Sequence, residues 1–179
     1  MGERDDADEL DAIVDPLGDH LGALYAVVDA ASEPTIVEWL RETEPTYECL
    51  FEGRRATDLA EEAPYLLRLD RPKQLTDLVH RAHDRSAVVY LHSTQGFARV
   101  RRHLRRIMLV KTEGGDVLYF RHYDPRIARV FLPLCRPAQL PWMFDDVVAS
   151  WFTEGDEPGQ LYRFWVDEAA TVVSRERLR

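Results

Sequence analysis

Short apolar runs rich in β-branched and aromatic residues alternate along this chain with stretches whose apolar residues recur at helical spacing. The runs predict buried strands over residues 24–30, 65–70 and 87–93. The other stretches predict amphipathic helices over residues 74–85 and 97–108. Strands that alternate with helices indicate an α/β fold in which a layered sheet is flanked by helices. A hairpin over residues 107–123, around the turn EGGD, and a second hairpin near the C-terminus predict a mixed sheet rather than a purely parallel one.

A length of 179 residues is typical of a single domain with a proper hydrophobic core. We expect an acidic tail or short helix over residues 1–20, an α/β domain over residues 21–155, and a variable hairpin and tail over residues 156–179. Two isolated cysteines do not make a disulfide framework.

The net charge of −9 is concentrated at the N-terminus. The first 20 residues carry eight acidic side chains and one arginine, a net charge of −7, so that only −2 is left for the remainder. Acidic segments of this kind are usually solvated tails. This one also has apolar residues at helical spacing, which would allow a short helix: Leu10, Ile13, Val14 and Leu17. Because the start of the chain is acidic and no apolar run approaches about 20 residues, we expect a cytoplasmic protein that makes no membrane contact.

The predicted helix over residues 97–108 is rich in arginine on every side except its apolar face. Two interpretations are open, a solvated helix with cations near its C-terminal end and a docking surface for a partner. Arginine suits interfaces because its planar guanidinium pairs bidentately with carboxylates. We therefore predict that Arg102, Arg105 and Arg106 contact a partner protein.

The segment YFRHYDPR, residues 119–126, predicts a corner between a strand and a helix. Asp124 before Pro125 is suited to cap the helix, and Arg121 or Arg126 could pair with a carboxylate to hold the corner. In the alternative interpretation the corner lines a groove for a partner. The predicted partner contacts here and near the C-terminus are Arg121, Tyr123, Asp124, Arg126 and, as a tryptophan beside an arginine, Trp165.

The sequence contains no nucleophile–base pair, no phosphate-binding loop and no G-x-S-x-G elbow. His80 and His83 are three residues apart, but no further ligand lies at a matching short spacing. His92 and His122 are expected to be hydrogen-bonded scaffold residues. We therefore predict no catalytic residue, no metal site, no cofactor and no enzymatic activity.

Five segments together resemble a known family: YAVVDAA (25–31), YECLFEG (47–53), APYLLRLD (63–70), RRHLRRIMLV (101–110) and YFRHYDPRIARVFLP (119–133). In their order and spacing they are similar to the effector-adaptor domain of bacterial type VI secretion, a family long catalogued only as a domain of unknown function. The resemblance extends from about residue 24 to about residue 151.

The resemblance implies a chaperone that binds the N-terminal region of a secreted effector and assists its loading onto the spike protein, a second expected partner. It implies no catalytic residue. Two alternatives from the residues themselves stay open. One is a small enzyme or ligand-binding domain that uses the arginine-rich corner. The other is a nucleic-acid-binding module, against which the sequence pI of about 5.1 counts.

Overall fold

The computed structural model describes residues 2–112, 114–167 and 172–178, with side chains described from residue 7 onward. The strands of the described chain are β1 Leu24–Asp29, β2 Tyr47–Cys49, β3 Pro64–Leu69, β4 Val88–His92, β5 Leu109–Lys111, β6 Val117–Tyr119, β7 Ser150–Glu154, β8 Leu161–Val166 and β9 Val173–Arg177. The helices are α1 Gly2–Gly18, α2 Ile36–Thr43, α3 Arg54–Asp58, α4 Pro72–Ala82, α5 Phe97–Ile107, α6 Pro125–Phe131 and α7 Leu140–Met143. Short 3-10 turns occur at Ala60–Glu62, Leu132–Leu134 and Pro137–Gln139.

Seven strands form one sheet in the order β2-β3-β1-β4-β7-β8-β9. The predicted α/β fold, a layered sheet with flanking helices in a single domain, is confirmed. The expectation of a mixed sheet is wrong for the described strands, because every pair among them is antiparallel. Helical spacing between two strands predicts a long connection, but it does not determine the direction in which the second strand returns.

The predicted hairpin over residues 107–123 forms, but it stays outside the main sheet. Strands β5 and β6 pair only with each other among the described residues and make a separate two-stranded sheet. The strands are shorter than expected because α5 continues to Ile107 and β6 already ends at Tyr119.

Helices cover both faces of the seven-stranded sheet, as alternate residues of β7 show. Trp151 lies on one face, where its ring is 5.8 Å from the ring of His122, just before α6. Tyr25 shares that face through the strand register and contacts Phe97 of α5. Phe152 lies on the opposite face, where its ring is 5.2 Å from His20, just after α1. The fold is therefore a three-layer arrangement with its core on both sides of the sheet.

The acidic N-terminal segment forms helix α1, which packs against α4. Leu10, Ile13 and Leu17 are buried in the core, while Asp8 and Asp11 are exposed. Apolar residues at helical spacing place one face of this segment in the core, and its carboxylates remain in solvent.

The C-terminal segment continues the same sheet. The expected boundary between residues 155 and 156 lies in the connection between β7 and β8, which are paired neighbours. Strand β9 adds the last strand at that side. Among the described residues, none of the helices has the length and apolar character needed to cross a bilayer.

Candidate protein-interaction surface

Exposed apolar side chains are concentrated in one stretch of the chain. Seven of the eight large apolar residues that are exposed in the described structure lie between residues 109 and 134. They are Leu109, Val117, Leu118, Tyr119, Ile127, Val130 and Leu134. Apolar exposure that is contiguous on the surface is typical of protein-interaction sites, whereas scattered exposure carries no such meaning.

The β5–β6 hairpin contributes four of these residues. Leu109 lies opposite Tyr119 and Lys111 opposite Val117, so these side chains share one face of the hairpin. Leu118 lies opposite Val110 on the other face. Both faces of the hairpin therefore carry exposed apolar side chains. A two-stranded hairpin is marginally stable alone, so its contacts with the rest of the domain are needed to hold it.

Aromatic contacts hold the hairpin at its base. The Tyr119 ring is 6.0 Å from the Phe51 ring, and the Arg55 guanidinium lies 3.9 Å from the centre of the Tyr119 ring. The Phe120 ring, one residue later, is 4.7 Å from Phe131 of α6. These contacts hold the base of the hairpin against the loop before α3 and against α6.

A small cavity and a wider groove lie next to the hairpin. The cavity has a volume of about 80 Å³ and is lined mainly by Leu50, Phe51, Met108, Leu109 and Tyr119. The groove, of about 460 Å³, is lined by Ala98 and by arginines of α5. Glu52 and Arg105 line both, so that the apolar cavity and the arginine-lined groove are adjacent. We call the cavity and the groove, together with the exposed residues of the hairpin, the hairpin surface.

Most arginines of α5 are already paired with carboxylates from other elements. Arg101 lies 2.9 Å from Glu48 and Arg106 lies 3.1 Å from Asp145, while Arg105 pairs with Glu52. The fourth pair joins Arg99 and Asp146. Arg102 is exposed and makes no ion pair with a described residue. Of the three arginines predicted on this helix as partner contacts, Arg102 is thus the one whose guanidinium is uncommitted.

The predicted corner at residues 119–126 is a dense ion-pair network. Asp124 caps α6 by accepting a hydrogen bond from the Arg126 backbone N–H at 3.0 Å, and the Arg126 guanidinium donates two more. Arg121 donates to the buried Asp29 at 2.5 Å. Tyr123 is buried beneath Arg121. The structural interpretation of this corner is confirmed, and Asp124 and Tyr123 are not available at the surface.

The remaining predicted contact, Trp165, lies on β8, with the Arg163 guanidinium 5.2 Å from the centre of its ring. Trp165 belongs to the main sheet and is only partly exposed. The predicted site residues therefore occupy three separate places: helix α5, the corner before α6, and strand β8.

His122 and His92 both contact other parts of the folded chain. His122 is fully buried, and its Nε2 lies 3.1 Å from the carbonyl oxygen of Leu104. Burial lowers the pKa of His122 to about 3, so the imidazole is neutral at ordinary pH. His92 is half-buried, with its ring 4.7 Å from that of His20. In the part of the chain that the structure describes, no three histidine, cysteine or carboxylate side chains form a group that could hold a metal ion.

Sequence reasoning missed the apolar residues of the hairpin surface. Leu109, Val117, Leu118 and Tyr119 belong to runs that resemble buried strands, and composition alone gives no sign that these runs are exposed. The sequence predicted longer strands within residues 107–123, and their short length became visible only in the structure. Strands of three residues on either side of a glycine-containing turn contribute little to a core.

One comparison with known families gives a match. The model of the DUF4123 family, described as a domain of unknown function, matches residues 24–141, well over half of the chain. The match covers β1 to the start of α7 and includes both α5 and the β5–β6 hairpin. No curated protein and no solved structure shows detectable similarity to the chain. The match shows that the chain belongs to the DUF4123 family, a family defined by a domain of unknown function.

Proposed function

We propose that this protein is a cytoplasmic adaptor and chaperone that binds the N-terminal region of a type VI secretion effector and assists its loading onto the spike protein. The proposal combines the motif resemblance with one structural observation. That observation is the concentration of exposed apolar side chains between residues 109 and 134, next to a groove lined by arginines.

Such a surface suits a chaperone for physical reasons. Burial of its apolar side chains against a partner would provide most of the binding free energy, and each fully buried large side chain contributes about 1.5–3 kcal/mol. Arg102 at the rim would select and orient a partner with a nearby carboxylate. The partner's own apolar segment would be protected from aggregation while it is bound.

The alternatives have less support. A ligand-binding role for the corner would require free guanidinium groups, but Arg121 and Arg126 are both paired with carboxylates. A nucleic-acid-binding role for α5 would require several arginines free to neutralise phosphates, and four of them are paired with acidic side chains.

Co-expression with the product of the adjacent large gene, followed by affinity purification and size-exclusion chromatography, tests the proposal. We expect a stoichiometric complex and a partner that is insoluble when it is expressed alone. No complex, together with a soluble partner, would contradict the proposed function.

Two matched valines test which surface binds. Val117 on the hairpin is 62% exposed and Val172 before β9 is 54% exposed. Val117→Asp should abolish the complex because it places a charge in the apolar surface, and Val172→Asp should leave the complex intact. Equal effects of the two substitutions would exclude the hairpin as the binding surface.

A further inference from the structure

The β5–β6 hairpin has a free edge as well as exposed faces. The hydrogen bonds from Phe120 N–H to Met108 C=O and from Thr112 N–H to Asp116 C=O, both 2.8 Å, define its ladder. In an antiparallel ladder every second pair is hydrogen-bonded. The backbone groups of Val110 and Leu118 therefore point toward each other, and those of Val117 and Tyr119 point outward from β6.

These outward groups have no partner within the described chain. No hydrogen bond is made there to the backbone N–H or C=O of Val117 or Tyr119. All three residues of β6 are exposed, and so are the outward residues of β5, Leu109 and Lys111. The two edges differ in charge, because Lys111 lies on the edge of β5 whereas β6 has no charged residue.

Natural proteins usually protect such edges. Proline, inward-pointing charges, bulges or a covering loop prevent an unpaired strand from joining another chain. Strand β6 reads Val117-Leu118-Tyr119, with no proline and no charge. An unprotected apolar edge is a template for an additional strand.

We infer that the edge of β6 takes up an extended segment of a partner protein as a third antiparallel or parallel strand, and that this segment carries an acidic residue for Arg102. The inference rests on the proposed function, because it names how the effector would be held. Backbone hydrogen bonds to an edge strand provide affinity, and pockets for alternate side chains provide specificity.

The surroundings of the edge define the chemistry of the incoming segment. The cavity of about 80 Å³ beside Tyr119 accepts one apolar side chain. The neighbouring groove contains Arg102 beside Arg101, Arg105 and Arg106, and the last three are paired with carboxylates, so that Arg102 is the positive charge available to an incoming segment. A segment with alternating apolar residues and at least one acidic residue is complementary to both.

Substitutions at one position separate strand addition from docking on the apolar face. Val117→Pro keeps an apolar side chain but removes the outward N–H, and proline is tolerated on edge strands. Val117→Thr keeps the N–H and the β-branched shape but makes the side chain polar. Lys111→Pro removes an outward N–H from the other edge, that of β5, and serves as the matched control.

The first probe is a phage-displayed library of random linear peptides selected on the full chain, with affinities of the enriched peptides measured by fluorescence polarisation. We expect enriched peptides that combine apolar and acidic residues. Val117→Pro should weaken their binding by roughly tenfold or more. Val117→Thr and Lys111→Pro should change it by less than about threefold.

Hydrogen exchange on the wild-type chain provides a readout that does not depend on the folding of any variant. Binding of an enriched peptide should slow exchange of the Val117 and Tyr119 amides. Unchanged exchange at both amides would overturn the inference, as would unchanged peptide binding by Val117→Pro or the absence of any enriched peptide. A larger loss for Val117→Thr than for Val117→Pro would indicate docking of a helix on the apolar face instead.

The same variants in the effector co-expression experiment separate the two proposals. A complex that survives Val117→Pro would retain the proposed function and overturn strand addition. Failure of the wild-type chain to bind the effector would overturn the proposed function, while the peptide experiment still decides the inference about the edge. A dimer of the free chain that dissociates on Val117→Pro would assign the edge to a second copy and overturn the inference.

Discussion

At the scale of the residue, Asp124 interacts with both Arg121 and Arg126 at the corner between β6 and α6. Its carboxylate accepts hydrogen bonds from the Arg126 backbone and guanidinium and lies 3.9 Å from Arg121. Burial opposes ionisation of this carboxyl, but the hydrogen bonds and charge of Arg126 outweigh it. The pKa of Asp124 is therefore lowered from its ordinary value.

Asp124→Ala should lower the free energy of unfolding by about 1–2 kcal/mol, because it removes a helix cap and leaves Arg126 without its carboxylate. Asp124→Asn should cost less, since asparagine caps helices well. Urea denaturation at neutral pH measures both values. Equal losses would mean that the ion pair, and not the cap, stabilises the corner.

Glu154, at the end of β7, lies in an environment that raises the pKa of its carboxyl, in contrast to Asp124. Its side chain is 14% exposed, and Oε2 lies 4.0 Å from Nδ1 of His83. Burial raises the pKa of Glu154 from 4.5 to about 7, and the nearby His83 only partly offsets this effect. Between these two values the folded protein keeps a proton that the unfolded chain has lost.

The free energy of unfolding should consequently fall as pH rises from about 4.5 to about 7, by up to about 3 kcal/mol from this group. Glu154→Gln mimics the protonated side chain and should remove that part of the pH dependence. Urea denaturation of both proteins at pH values across this window provides the comparison. His83, Asp84 and Glu9 are unchanged in the variant, so an identical slope would exclude Glu154 as its source.

At the scale of the element, helix α5 combines a buried face with a largely neutralised basic face. Val100, Leu104 and Ile107 are buried at helical spacing. The Arg105 side chain is 15% exposed and its guanidinium is paired with Glu52, so it is not available to a partner protein. Arg102 is the arginine of α5 that has no ion-pair partner among the described residues and can contact a partner protein.

Arg102→Glu should weaken effector binding by roughly tenfold, mainly through slower association and a changed salt dependence, and leave the melting temperature unchanged. Arg99→Glu provides a control on the same helix, because Arg99 lies outside the groove and is paired with Asp146. Surface plasmon resonance at two salt concentrations measures both variants. An equal loss for both would indicate that only net charge matters.

At the scale of the whole molecule, the acidic N-terminus is part of the folded domain. Leu10, Ile13 and Leu17 of α1 are in the core. Gly159, in the connection between β7 and β8, packs against the backbone of α1 at Glu9. The three side chains together represent about 5–9 kcal/mol of apolar burial, which is comparable to the total stability of a typical domain.

Deletion of residues 1–20 should therefore give an insoluble or unfolded chain. The double substitution Asp8→Asn and Asp11→Asn removes two exposed charges and should leave the free energy of unfolding nearly unchanged. Solubility and urea denaturation test both proteins. A soluble, cooperatively folding chain of residues 21–179 would show that α1 is dispensable for the domain.

Local patterns were sufficient to predict several elements and one structural motif. The run at residues 24–30 became β1, the helical spacing at residues 97–108 became α5, and Asp124 before Pro125 became a helix cap. These features depend on residues within a few positions of one another, where periodicity and capping chemistry act directly.

Other features depend on residues far apart in the chain. The pairing of Arg105 with Glu52 and of Arg106 with Asp145 decides which arginines are committed, and no local pattern contains this information. The same holds for the direction of each strand and for the free edge of β6. Periodicity specifies which face of an element is apolar, but only the packing of distant elements determines whether that face and its backbone are covered.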